Sequence, residues 1–317
     1  MPDMLGSSFL LFAGTSHPEL SAEVAKNLDL KLGKVNIQRF PDEEIDLQVL
    51  ESVRGRDAFV LQTIALDPNN YLMELLILID ALKRASVNSV NVVIPYFGYC
   101  RQDRKAKPRC PITAKLVANL LEKAGATRVL TIDLHAAQVE GFFDIPVDNI
   151  HARSVLADVV QSNVDKDLIV VAPDAGSVKL ARDYANILQT DFAVVDKIRI
   201  NSDEVEVVTI IGDVKGKNVL LADDICSTAS TIVSAAKACR EKGAKRILAA
   251  VTHGLFVGDA VEKIEKSPID LFFVSNTIPK TEKVKNATKI RYVSIASFLS
   301  KAIRFVFSKE SVSSLTN

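Results

Sequence analysis

The chain has 317 residues, with 39 Lys+Arg against 39 Asp+Glu, so its formal net charge is zero. At roughly 150 residues per domain this length points to two domains, and 48% hydrophobic with 25% charged residues is the composition of a globular protein. Balanced charge argues against a general nucleic-acid binder, no apolar run reaches the roughly 18 residues of a membrane span, and the short run at residues 9–13 lacks the preceding basic residues of a secretory signal.

In chain order, four runs of strand length stand out: 90–95 (V-N-V-V-I-P), 129–135 (V-L-T-I-D-L-H), 168–174 (L-I-V-V-A-P-D) and 219–224 (V-L-L-A-D-D). Near-continuous Val, Ile and Leu predict strands buried on both faces, hence parallel sheets. A helix is predicted over 113–124, with Leu116, Val117, Leu120 and Leu121 on one face and Gly125 as its stop. A second helix is predicted over 231–242, ending at Gly243. Strand–helix alternation of this kind is α/β. Residues 122–135 and 241–253 echo each other: helix end, Gly turn, basic residue, strand, His. Any two αβ units share this pattern, but two similar halves, 1–150 and 151–307, also fit the length and are the expectation. The polar, Ser-rich tail 308–317 is read as a frayed end or as a segment packing back on the first half. Four cysteines without a C-x-x-C pair read as reduced thiols of a cytoplasmic protein.

Ligands of open parallel sheets bind beyond the carboxyl ends of the strands. Here those ends carry Asp223 and Asp224, Asp174, Asp133 and His135, and a basic turn at 96–104 (Y-F-G-Y-C-R-Q-D-R). One acidic strand end is explained by a helix N-cap. Several acids with a His and a basic turn suit Mg²⁺ carrying phosphates. Residues 223–231 (D-D-I-C-S-T-A-S-T) place two acids before a turn of small hydroxyl residues that opens a helix. Such a turn is either an anion site, with the acids on the hydroxyls of a sugar, or an ordinary capped helix. There is no G-x-x-x-x-G-K-[ST] and no G-x-G-x-x-G, so neither a P-loop nor a dinucleotide fold is signalled.

The 223–231 segment resembles the phosphoribosyl-pyrophosphate loop of type I phosphoribosyltransferases. With F-P-D-E-E (40–44), L-M-E-L-L-I-L-I-D-A-L-K-R-A-S (72–86), P-Y-F-G-Y-C-R-Q-D-R-K (95–105), T-I-D-L-H-A-A-Q-V-E-G-F-F (131–143) and D-K-I-R (196–199), the chain resembles the ribose-phosphate diphosphokinase family from residue 14 to residue 315. The resemblance implies two phosphoribosyltransferase-like domains, each a mainly parallel sheet flanked by helices. It implies transfer of the diphosphoryl group of ATP to the C1 hydroxyl of ribose 5-phosphate for nucleotide biosynthesis, giving phosphoribosyl pyrophosphate and AMP. Mg²⁺ is the implied cofactor, and the implied assembly is a homo-oligomer, commonly a hexamer, with ATP between subunits.

Residue by residue, Phe40 would stack on adenine, with Asp42, Glu43 and Glu44 beside it. Arg101, Gln102 and Asp103 would hold ATP from the other side, and His135 would serve ATP and metal. Asp174 would sit near a second metal and the ribose. Asp223 and Asp224 would take the ribose hydroxyls, and Ser227, Thr228, Ala229, Ser230 and Thr231 the 5-phosphate. Lys197 and Arg199 would be catalytic, Arg199 also touching the sugar phosphate, from a flexible loop over roughly 197–212; read from the residues alone, the same segment is a solvated hairpin with scattered charge at Asp203, Glu204 and Glu206. Ser311 and Ser313 would contribute to an effector site.

Departures from the family pattern are Glu43 and Ser230 where Gly is common, Ser227 for Asp, Ala175 and Ser177 in P-D-A-G-S (Ser177 where Gly is frequent), Ile198 and Asn201 for Arg, and the 105–111 segment. Ser230 is expected to take an ordinary φ unless the turn is remodelled. These departures motivate an alternative, a non-catalytic regulatory homologue that assembles with an active subunit. The ordinary spacing of 197–212 speaks against it. A phosphoribosyltransferase is a third reading, disfavoured because R-Q-D-R and F-P-D would have no use in that reaction.

Overall fold

A computed structural model describes residues 9–164, 167–199 and 206–315, the side chains of 197–199, 206–208, 313 and 314 lying outside that description. The chain divides into two compact units, the first formed by Met1–His151, Thr277–Pro279 and Ile295–Asn317, the second by Ala152–Asn276 and Lys280–Ser294.

In the first unit, β1 (Phe9–Ala13), β4 (Asp57–Leu61), β5 (Ser89–Ile94), β6 (Arg128–Ile132) and β7 (Val147–Ile150) form one sheet in that order. Every neighbouring pair is parallel. Strands β2 (Val35–Arg39) and β3 (Ile45–Val49) make a separate antiparallel hairpin. Helix α1 (Pro18–Leu28) starts with Pro at its first turn, and His17 Nδ1 accepts the Leu20 N–H at 3.3 Å. Helix α2 (Pro68–Arg84) sends Glu74 into the carboxyl edge of the sheet. Its carboxylate accepts the Thr15 N–H, the Thr15 hydroxyl and the Gln62 amide, each at 2.7 Å, so this buried charge is hydrogen-bonded on both oxygens.

Helix α3 (Thr113–Ala124) spans the predicted residues, and Gly125 closes it at φ +128°. Its buried face is Ala114, Val117, Ala118 and Leu121, while Leu116 is 54% and Leu120 39% exposed. These residues stand at i, i+3, i+4 and i+7, and the small Ala114 and Ala118 in that stripe allow close packing, which turns the expected Leu116 and Leu120 away from the core. Helix α8 (Ala296–Ser308) belongs to the first unit and packs on α1. Ser300 Oγ donates to Val24 O at 3.4 Å, Arg304 Nη2 donates to Asn27 O at 2.8 Å, and the Phe307 ring lies 4.8 Å from that of Phe9. The chain thus rejoins the first unit at Ile295 rather than at Ser308.

In the second unit, α4 (Arg153–Gln161) leads to β8 (Leu168–Ala172), α5 (Val178–Leu188), β9 (Phe192–Arg199), β10 (Glu206–Ile211), β11 (Asn218–Cys226), α6 (Ser230–Glu241), β12 (Arg246–Gly254), α7 (Ala260–Lys266), β13 (Leu271–Ser275) and β14 (Ile290–Val293). The seven-stranded sheet runs β10-β9-β8-β11-β12-β13-β14, parallel except for the antiparallel β9–β10 pair. The unbroken apolar run of β11 follows from burial on both faces. Val219 and Leu221 join the cluster of Ile232, Ala236 and Cys239, while Leu220 and Ala222 join Leu156, Ala181 and Tyr184, as period-two alternation requires.

Three strand ends differ from the sequence expectation. β8 stops at Ala172 because Pro173 cannot donate to the ladder. β6 stops at Ile132, and Asp133 turns to φ +42°. β11 continues to Cys226, with Ile225 opposite His253 of β12, so Asp223 and Asp224 lie within the strand, not at its end. Of the two readings of 197–212, the described backbone is that of a hairpin. Lys197 pairs with Val208 and Arg199 with Glu206 in the β9–β10 ladder, and residues 200–205 lie outside the described set.

Candidate active site

Strand order selects where the second unit binds a ligand. From β8 the chain passes to β9 and β10 on one side, then returns as β11 on the other. That reversal makes a crevice beyond the carboxyl ends of β8 and β11, the preferred binding position of an open α/β sheet. Among the described residues the first sheet, β1-β4-β5-β6-β7, advances in one direction without such a reversal.

Two predicted residues meet at this crevice. Asp174 follows β8, and Asp223 comes from β11. Ser177, at the start of α5 and only 7% exposed, joins them. Its N–H and its Oγ both lie 3.0 Å from Asp174 Oδ1, and the same Oγ lies 3.0 Å from Asp223 Oδ1. The Asp224 N–H donates to Asp223 Oδ1 at 3.0 Å. Burial, with the charges of Asp224 and Asp174 adding to it, pushes the Asp223 carboxyl up to about 7; the hydrogen bonds from Ser177 and the Asp224 N–H act in the opposite direction.

Downstream of β11, the hydroxyl turn opens α6. The left-handed residue is Ala229, at φ +61°, which leaves Ser230 free to begin the helix with an ordinary φ. Thr228 Oγ1 donates to Ser230 Oγ at 3.3 Å, and Lys263 Nζ donates to the same oxygen at 3.4 Å while pairing with Asp259 at 2.9 Å. The Ser227 carbonyl accepts the Val257 N–H at 2.9 Å, which ties the turn to the loop after β12. Thr228 and Ser230 are exposed, Ser227 and Thr231 half-buried. The first N–H groups of α6 have no partner within the helix and are available to an anion.

The first unit holds the remaining candidates. Phe40 sits at the tip of the β2–β3 hairpin, 50% exposed. The tip is closed by Phe40 N–H to Glu44 O and Glu43 N–H to Phe40 O, both 2.9 Å, and by Asp42 Oδ1 accepting the Glu44 N–H at 3.3 Å. Glu43 stands at φ +71°, the conformation Gly would adopt without strain; Arg39 Nη1 donates to its carbonyl at 3.0 Å and lies 3.7 Å from its carboxylate. Arg101 and Gln102 are exposed on the turn after β5. Gln102 accepts the Thr113 hydroxyl at 2.6 Å, and Asp103 accepts the Gln138 amide. His135 is exposed beyond β6. Ser311 is exposed near the C-terminus, and the side chains of Ser313, Lys197 and Arg199 lie outside the described set.

Comparison with known proteins decides the family. Residues 9–125 match the N-terminal domain of ribose phosphate pyrophosphokinase, and residues 198–317 match the phosphoribosyl synthetase-associated domain. The chain is 51% identical to the ribose-phosphate pyrophosphokinase of Wolinella succinogenes, over 97% of this chain and 98% of that one. It is 49% identical to that of Chromobacterium violaceum, over 98% and 95%. The crystal structure of phosphoribosylpyrophosphate synthetase from Mycobacterium smegmatis superimposes with a TM-score of 0.90 at 40% identity, covering 96% of this chain and 100% of that one. The chain belongs to the ribose-phosphate pyrophosphokinase family.

For a ribose-phosphate pyrophosphokinase, sequence reasoning passed over two residues near the crevice. Ser177 stood out only as a departure from Gly, and its helix-start position was the available signal. Lys263 carried no signal, because only the fold brings α7 beside the start of α6. A groove of about 410 Å³ near Arg182, Phe192, Asp213 and Lys217 lies at the amino ends of the same strands, the edge opposite Asp223. Burial pushes the thiols of Cys226 and Cys239 up to about 12, which makes both inert at neutral pH. Cys100 is buried and Cys110 partly exposed. No helix among the described residues is long and apolar enough to cross a membrane.

Proposed function

We propose that this pyrophosphokinase transfers the diphosphoryl group of ATP to the C1 hydroxyl of ribose 5-phosphate. The carrying observation is the Asp174–Ser177–Asp223 junction at the sheet's reversal point, one strand end away from the hydroxyl turn that starts α6. In this reading Asp223 and Asp224 take the ribose hydroxyls. The backbone N–H groups and hydroxyls of Ser227–Thr231 take the 5-phosphate, with Lys263 adding a cation. Phe40 at its exposed tip stacks on adenine, Asp42, Glu43 and Glu44 flank the nucleotide, and Arg101, Gln102, Asp103 and His135 serve the rest of ATP. The C1 oxygen attacks the β-phosphorus, the bond from that phosphorus to the bridging α–β oxygen breaks, AMP leaves, and the hydroxyl proton goes to solvent. Lys197 and Arg199 neutralise the charge that develops during transfer, where positioning and electrostatics supply most of the catalysis.

Mg²⁺ is the proposed cofactor. Among the described residues no three His, Cys, Asp or Glu side chains form a metal cage. The residues nevertheless fit this ion, because Mg²⁺ is commonly held by one or two carboxylates plus substrate phosphates and water. Asp174 and Asp223 converge on one hydroxyl with their like negative charges close together, a situation that a divalent cation relieves. His135, beside one ion at the ATP phosphates, and Asp174, beside a second ion near the ribose, are the proposed metal residues, and Mg²⁺ would supply charge neutralisation on the phosphate oxygens. A cytoplasmic homo-oligomer, a hexamer by the family resemblance, with an effector site using Ser311 and Ser313, completes the proposal.

The deciding experiment measures AMP formed from ATP, Mg²⁺ and ribose 5-phosphate by the purified chain alone. AMP that depends on the sugar phosphate is expected. No AMP, with or without inorganic phosphate, would shift the weight to the regulatory homologue.

A further inference from the structure

We infer that Ser177 is a positioning residue for ribose 5-phosphate, acting through the two carboxylates it joins. The inference deepens the proposed transfer reaction and rests on it. One side-chain oxygen, almost fully buried, lies 3.0 Å from carboxylate oxygens of two residues 49 positions apart in the chain, one after β8 and one on β11. In both carboxylates the atom engaged is Oδ1. Asp174 Oδ1 also takes the Ser177 N–H, and Asp223 Oδ1 also takes the Asp224 N–H. The hydrogen bonds on each acid therefore gather on one oxygen and fix the plane of the carboxylate, leaving Oδ2 of each without a hydrogen bond among the described residues and available to a ligand.

A hydroxyl has one proton, so at any moment it donates to one of the two acids. Asp174 keeps its bond from the Ser177 backbone in either case. The hydroxyl is thus most consequential for Asp223, which otherwise has only the Asp224 N–H. With Ala at 177, two charged groups would face each other across a small gap with nothing between them, and the Asp223 side chain would rotate away from its ligand-ready orientation. The hydroxyl of Ser177 thus preorganises the carboxylates of the site.

The test compares wild type with Ser177→Ala and Ser177→Thr. Ribose 5-phosphate binding is followed by titration calorimetry in Mg²⁺ without ATP, and KM values for the sugar phosphate and for ATP are measured separately. Loss of one hydrogen bond to a charged group is expected to raise the sugar-phosphate Kd and KM about tenfold in Ser177→Ala. KM for ATP should stay within twofold, and Ser177→Thr, which keeps the hydroxyl, should recover most of the affinity. A folded Ser177→Ala protein with an unchanged sugar-phosphate Kd overturns the inference, as does equal loss in the Ala and Thr variants. Should Ser177→Ala not fold, Ser177→Gly gives the same comparison. An active wild type with an unaffected variant rejects the role of Ser177 alone, whereas a wild type that makes no AMP rejects the transfer reaction itself.

Discussion

Asp223 sits where burial and charge act against its ionisation. Its carboxyl is pushed from 3.8 up to about 7, by burial first and then by Asp224 and Asp174. A carboxyl whose folded value is raised takes up a proton on folding. Its contribution to stability is full below its unfolded value and is lost as the pH rises through the folded value. The metal-free protein should therefore lose stability between about pH 4 and pH 7, and Asp223→Asn should flatten that slope while weakening ribose 5-phosphate binding. Thermal melts in chelator across this range check the first outcome; an equally steep slope in the variant would reject the assignment. Two other residues were only half legible from the sequence. Glu43 and Ser230 both stand where the resembling family has Gly, yet only Glu43 adopts the left-handed conformation. In the second turn Ala229 takes it instead, because the chain must reverse before α6 begins and one left-handed residue suffices. Which residue bends is a property of the closed turn, not of its composition.

At the scale of elements, the apolar runs located β5, β6, β8 and β11, since burial on both faces leaves a strong compositional trace. Their ends were less legible. β11 runs on to Cys226 because β12 offers partners as far as Gly254, and no local residue announces that pairing. The β9–β10 ladder likewise extends through Lys197 and Arg199, so the hairpin reading of this segment holds for its described backbone and the open-loop reading does not. Lys197→Ala should reduce kcat by about a hundredfold or more, as the loss of one transition-state donor does, with ribose 5-phosphate binding nearly intact. Turnover equal to wild type would remove Lys197 from the mechanism. Helix α3 shows the same limit on a smaller scale: its length was readable, but its buried face follows the small residues Ala114 and Ala118 rather than Leu116 and Leu120.

At the scale of the molecule, the return of α8 to the first unit joins residues nearly three hundred positions apart, as in the Arg304–Asn27 bond, whose separation is 277. Leu299 and Ile303 of α8 are fully buried. Leu299→Ala should cost about 2–5 kcal/mol, the range for emptying a packed core position. Urea unfolding measures it, and a change below about 1 kcal/mol would show that this face contributes little to the unit. Composition and periodicity alone determined that the chain is α/β, that it has two parts, and which strands carry acids near their carboxyl ends. Those properties are local, because burial and hydrogen bonding select residue types at each position. Only the tertiary structure decided the strand order that puts β8 beside β11, and with it the meeting of Asp174, Ser177 and Asp223. It also decided which unit α8 covers. Such choices depend on pairings between distant segments, and an apolar strand or helix face is written alike for any partner that can bury it.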